Sequence, residues 1–218
     1  MRLLQAVGTT AAIAVLATGC ASADDWSQPR AAAPTPIGAL GAGFVPTVKP
    51  SPEATITPRP GSWDGVHPPQ DYRVVLLTAG DDPQTKTLVT AVEDWATQEH
   101  VSLKTVKASD DYIAGIGEAM DLHPELIVAA GNNLVDPLAM VTPNHLDQQF
   151  LVVGAELAEP TGNVTAADWT GASFRGEGLG ASSSYDPSSF TPARAVSAIR
   201  AGAASVLTGH TGIVLWLS

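Results

Sequence analysis

The sequence predicts an α/β fold, a three-layer, doubly wound and mostly parallel sheet. Two observations carry this. Between residues 71 and 218, short apolar runs alternate with segments whose apolar residues recur at helical spacing. Most of those runs are apolar at successive positions, as parallel strands covered on both faces should be. Right-handed crossovers then put helices on both sides of the sheet.

The elements follow in order. "YRVVLLTA" (72–79) is a buried strand. In "GDDP", Asp82 is placed to cap a helix whose first residue is Pro83. That helix sets Leu88, Val92, Trp95 and Ala96 on one face. "VSLKTVKA" (101–108) alternates as an edge strand does, and "SDDYIAGIGEAM" is a helix with Ile113, Ile116 and Met120 on one side. "ELIVAAG" (125–131) is a second buried strand, and "NNLVDPLAMV" a short helix with Leu134, Leu138 and Val141 inward. "QFLVVG" (149–154) and the more mixed "NVTAADW" (163–169) are further strands. A Gly- and Ser-rich segment, 171–189, breaks the rhythm and reads as a disordered or docking loop; Phe174, Arg175 and Tyr185 are its docking groups. Its "GEGLGA" does not open a helix after a first strand, so it is no phosphate loop. Thr191 then caps a helix begun by Pro192, with Val196, Ile199, Ala203 and Val206 on one face and Gly209 at its end. "GIVLWLS" (212–218) is a last strand, whose exposed edge invites self-association.

Ahead of this domain the composition changes. Ten of the seventeen prolines lie between residues 21 and 70, among Ala, Gly, Ser and Thr, without helical or strand period. Such a segment buries too little apolar surface to offset its ordering entropy. The expectation is a disordered, semi-rigid tether over 20–70, reaching on the order of 150 Å if extended. Trp26 has no role in this reading, and Trp63 is placed to pack on the domain edge. Arg2 is followed by an uncharged, apolar stretch to residue 19, too short for a confident membrane span, with small residues before Cys20. This is the plan of a secretory signal peptide over 1–19.

"AAIAVLATGC", ending on the chain's one cysteine, resembles the lipobox of bacterial lipoproteins. The resemblance implies a signal peptide cut before Cys20, a diacylglycerol on its thiol, and a protein held extracytoplasmically on the cell membrane by lipid. Thr18 and Gly19 fit the pattern; Ala17 stands where the family usually has Leu, with Leu16 one step earlier. An uncleaved signal anchor and plain secretion are the other readings. With Cys20 acylated, the mature chain has no disulfide and no free thiol.

The net charge is −11, from 22 acidic and 11 basic residues, and no basic cluster exists to bind nucleic acid. Catalysis finds no support. There is no G-x-S-x-G elbow, and the five histidines are scattered without metal-ligand spacing, so no catalytic residue, metal or other cofactor is expected.

The order "RVVLLTAGDDPQTKTLVTAVEDWA", "HPELIVAAG", "QQFLVVGAE", "NVTAADW" and "AIRAGAASVLTGHTGIVLWL" resembles the first lobe of type I periplasmic-binding proteins. Within that class it is similar to the basic membrane lipoproteins, which bind nucleosides and related solutes for ABC importers. The resemblance covers about residues 72–217 and implies a single periplasmic-binding-protein-like lobe serving a small solute and an ABC permease. It departs from the family in three ways: the second lobe is absent, Asn132 replaces the aromatic after Gly131, and Thr85 and Lys86 stand near the expected Phe-Asn pair. A separately encoded second lobe, and a non-transport interaction or scaffold role, are the alternatives.

Ligands of open α/β sheets bind beyond the carboxyl ends of the strands. That rule selects Asp81, Asp82, Gly131, Asn132, Asn133, Glu156, Trp169 and Thr170. Asp81 would accept bonds from sugar hydroxyls, Asn132 would serve either edge of a solute, and Trp169 would stack on a ring. Each has a plainer role: Asp82 as helix cap, Asn133 as turn residue, Glu156 as solvated charge, Trp169 as packing for the last helix.

Overall fold

The computed structural model describes residues 26–30, 32, 34–172 and 185–218. The signal peptide, Cys20 and most of the glycine-serine loop lie outside the described residues. The elements in chain order are β1 (Ile37–Gly38), β2 (Thr55–Ile56), β3 (Val66–His67), β4 (Arg73–Thr78), α1 (Pro83–Gln98), β5 (Ser102–Lys107), α2 (Tyr112–Asp121), β6 (Leu126–Ala130), α3 (Val135–Val141), β7 (Phe150–Val153), β8 (Val164–Trp169), α4 (Pro192–Leu207) and β9 (Val214–Leu217).

Seven strands form one parallel sheet in the order β2-β9-β8-β7-β6-β4-β5, with β5 at the edge as its alternating pattern predicts. The helices split between its faces. Leu88, Val92 and Trp95 of α1 share one core cluster with Ala198, Ile199 and Ala203 of α4. Ile116 of α2 and Leu138 of α3 belong to the cluster on the other face. The fold is therefore the expected three-layer α/β sandwich.

Local chemistry sets the helix ends. Asp82, Asp111 and Thr191 each accept a hydrogen bond from a backbone N–H of the first turn of α1, α2 and α4. At the end of α4, Gly209 N–H reaches the Val206 carbonyl and His210 N–H the Ser205 carbonyl, a Schellman closure. Gly202 faces Leu151 so closely that a β-carbon there would collide with its methyl groups, so α4 lies almost on the sheet. One helix face differs from its pattern: Ile113 is exposed, and Ile116, Ala119 and Gly115 supply the buried side of α2. Gly115 sits against Ala108, which pulls the inward face away from Ile113.

Two expectations are corrected. The disordered tether does not extend to residue 70. Phe44, Ile56, Trp63 and Val66 are buried and join the α1/α4 cluster, Phe44 and Trp63 meeting edge to face at 6.4 Å. Pro52 and Pro60 lie in turns, while these four apolar side chains, too sparse to show a period, supply the burial that ordering requires. The last strand is not an exposed edge either. β2, from the same segment, pairs with β9 through Thr55 and Ile56 and covers its first two residues, which removes the stated reason for self-association. β1 and β3 form a separate antiparallel ribbon.

Candidate functional site

Strand order reverses beside β4. From β4 the chain passes through α1 to β5 on one side, then returns through α2 to β6 on the other. The loops leaving β4 and β6 therefore lead to helices on opposite faces of the sheet, and the carboxyl-end crevice at this reversal is the usual ligand position in such folds.

Asp82 opens α1. Its Oδ1 accepts from the Thr85 backbone N–H and its Oδ2 from the Thr85 hydroxyl, each at 2.8 Å. Partial burial raises its pKa, but these donors outweigh that and the net effect is to lower it. Asp81 points to solvent and pairs with Lys107 at 3.0 Å, whose hydrogen bond and charge lower the Asp81 pKa. After β6, Gly131 adopts φ +127° with its Cα against the Ala79 carbonyl; any side chain would strike that oxygen. The two loops thus touch. A β-carbon placed on Gly80 would lie 3.2 Å from Asp82 Oδ2 and 3.8 Å from Asn133 Nδ2, so a carboxylate and an amide donor overhang the same glycine. Asn132 and Asn133 are both exposed, at the start of a 3-10 turn. Tyr185 stands at the rim: burial first, and the charge of Asp82 second, raise the pKa of its hydroxyl. Its ring meets Phe190 at 6.0 Å, and Phe190 meets Trp169 at 5.1 Å.

The other candidates lie elsewhere. Trp169 is fully buried, edge-on to Phe190, and its indole N–H donates to the Ser189 hydroxyl at 3.1 Å. It cannot stack on a solute, because the α1/α4 core and the 185–190 segment enclose it. Thr170 is exposed just beyond β8. Glu156 is not a solvated charge: it is 2% exposed, its Oε1 has no hydrogen-bond partner, and burial pushes its pKa up to about 7. Near it lies Asp168, 1% exposed, with Oδ1 unpartnered and its pKa pushed up to about 8, by burial first and then by the Glu156 charge.

The structure therefore brings Asp82, Gly131, Asn132 and Asn133 to one crevice, turns Asp81 outward to Lys107, and leaves Glu156, Trp169 and Thr170 out of the crevice. Sequence reasoning did not select Asp168 or place Tyr185 at the rim. Asp168 had a signal, being the one acid inside an otherwise uncharged strand. Tyr185 had none, since its position depends on how the long connection folds back. Chemically the crevice offers a carboxylate, an amide and a phenol, groups that bind hydroxyls and amines. Among the described residues no group of three or more His, Cys, Asp or Glu is placed to hold a metal.

No family model matches the chain, and no curated protein matches it. Among solved structures, an ABC transporter solute-binding protein from Aeropyrum pernix K1 aligns at 18% identity and TM-score 0.39, over 45% of this chain and 29% of that one. A fragment from Peptoclostridium difficile 630 described as a lipoprotein aligns at 16% identity and TM-score 0.44, over 62% of this chain and 98% of that one. A periplasmic ribose ABC transporter from Conexibacter woesei DSM 14684 aligns at 13% identity and TM-score 0.38, over 68% of this chain and 54% of that one. The chain spans less than a third of the first of these. At TM-scores below 0.5 these likenesses carry no argument, and the fold rests on the chain's own strand order.

Proposed function

We propose that this chain is an extracytoplasmic lipoprotein, anchored through Cys20, whose α/β lobe recognises a small polar solute, as the basic membrane lipoproteins do for ABC importers. The single observation that carries the reading is the convergence of Asp82 and Asn133 over Gly80, at the point where strand order reverses. A carboxylate accepts from hydroxyl or amine groups, and the Asn133 amide both donates and accepts. Tyr185 adds an exposed ring at the rim. The solute class is accordingly a hydroxyl- or amine-bearing small molecule such as a nucleoside or sugar.

A second reading is an interaction lobe that holds no solute. One observation favours it: the aromatic that would have stacked on a ring, Trp169, is used in the core instead. A thermal-shift scan of residues 26–218 against nucleosides, sugars and amino acids separates the two. Binding to the folded state alone raises its stability by about 2.7 kcal/mol at a hundredfold excess over Kd. A dose-dependent rise that Asn133→Ala and Tyr185→Ala each diminish supports solute recognition. An unfolding curve that none of the compounds moves refutes it and leaves the interaction lobe.

A further inference from the structure

Residues 26–30 belong to the stretch whose composition reads as spacer, yet they are docked. Trp26 is buried against the cluster on the α2/α3 face. The Lys104 ammonium lies 4.4 Å from the centre of its ring and the Arg73 guanidinium 5.8 Å, both within reach of the negative π-face. Arg73 Nη1 donates to the Gln28 carbonyl at 3.0 Å. Arg30 forms an ion pair with Glu125 at 2.6 Å and donates to the Asp71 carbonyl. The partners converge on one end of the molecule. Asp71 and Arg73 lead into β4, Glu125 immediately precedes β6, and Lys104 lies in the first half of β5. This is the amino end of the sheet, opposite the crevice.

Trp26 is six residues from Cys20. Even fully extended, six residues span only about 20 Å. The strands of the central sheet are themselves up to six residues long, about 20 Å. Starting from the amino end, such a reach brings Cys20 at most level with the crevice, so an acylated Cys20 holds the amino end closest to the bilayer.

We infer that residues 26–30 are a strap that seats the amino end of the sheet at the lipid headgroup surface and turns the crevice between the β4 and β6 loops away from it. This rests on the reading of Cys20 as the anchor. The occupant of the amino-end face is the bilayer that holds the chain's own lipid. The long stalk implied by composition is replaced by a short, oriented mount.

The test uses the full chain and its single cysteine. A nitroxide on Cys20, in detergent micelles, should broaden the amide resonances of Asp71, Ser102 and Glu125 while leaving those of Gly80, Asn132 and Thr170 sharp. Doubling Trp26→Ala with Arg30→Ala should abolish that contrast without shifting resonances of the β6–β8 core. In a second arm Cys20 is coupled to a maleimide-headgroup lipid in nanodiscs carrying a paramagnetic headgroup. The same amino-end amides should relax fastest. Equal broadening at both ends in the native chain, or faster relaxation at the crevice, overturns the strap whether or not the variants fold. Because the lipid is attached chemically, this outcome is independent of whether cells acylate Cys20. That separate question is answered by the mass of the chain recovered from membranes.

Discussion

The buried acids Asp168 and Glu156 predict that this domain becomes more stable as the solution is acidified from pH 8 towards pH 5. An unfolded carboxyl ionises near pH 4. In the folded chain burial raises Asp168 to about 8 and Glu156 to about 7. Between those limits the native state keeps protons that the unfolded chain has released. Stability then falls with rising pH, since the unfolded state binds fewer protons. The stabilisation is fully present below the unfolded pKa and is lost as pH rises through 7 to 8. Each retained proton is worth about 1.4 kcal/mol per pH unit. Asp168 alone, protonated across pH 5 to 7, therefore contributes a loss of about 3 kcal/mol over that interval. For a domain of this size that corresponds to about 6–12 °C in Tm.

The assay is urea unfolding at pH 5, 6, 7 and 8 of the native chain and of Asp168→Asn. The variant keeps the shape and removes the titration. Because Glu156 still titrates, its slope between pH 5 and 7 should fall to about half of the native one, and at pH 8 it should be the more stable protein. Asp81, Asp82 and Asp186 carry lowered pKa values, so their contribution is lost only in stronger acid and does not overlap this window. A native chain at least as stable at pH 8 as at pH 5, or an Asp168→Asn slope equal to the native one, would refute the reasoning.

Other outcomes follow from packing. Trp169→Ala should cost about 3–5 kcal/mol in chemical denaturation, since it removes a fully buried ring against Phe190. Gly202→Ala should cost about 1–3 kcal/mol, because the new methyl must displace Leu151. Asp82→Ala should lose about 1 kcal/mol from the α1 cap, with Asp82→Asn restoring most of it in thermal unfolding. A chain begun at residue 71 should unfold at lower denaturant and self-associate on a sizing column, having lost Phe44, Ile56, Trp63 and the β2 cover of β9.

The parallel sheet was legible because β4, β6, β7 and β9 are near-continuous apolar runs, β5 alternates as an edge strand does, and α1, α2 and α4 each carry a cap and a stripe. Asp82, Thr191 and Gly209 could be placed from spacing alone, since caps are local chemistry. The crevice was legible as far as topology reaches: the carboxyl-end rule found Asp82, Gly131 and Asn133. It failed for Trp169 and Glu156, where the face a side chain takes depends on tertiary packing. It failed also for residues 34–70. Periodicity detects residues that share an element, whereas Phe44, Ile56, Trp63 and Val66 are isolated anchors on irregular chain, each buried by a surface that other segments make.

The two buried acids have a topological origin. Going from β6 to β7 the chain moves along the sheet with α3 on the α2/α3 face; going from β8 to β9 it moves the same way with α4 on the opposite face. The last crossover therefore has the opposite hand to the β4–β5, β5–β6 and β6–β7 crossovers, against a strong right-handed preference. α4 docks beside α1 as a result. Among the described residues no α-helix then covers β8 and β9 on the α2/α3 face. Register places Asp168 on that face, since it pairs with Trp216 and alternates with Ala167 and Trp169 of the α1/α4 core. The β7–β8 connection covers that side instead, through Ala155 and Leu157, with Glu156 between them. A helix dictated by a right-handed crossover would have filled this region with apolar side chains. The loop fills it with Ala155, Leu157 and one carboxyl, and Asp168 is buried beside that second acid, whose charge raises its pKa further. The pH dependence of stability is in this sense a readout of the crossover's hand.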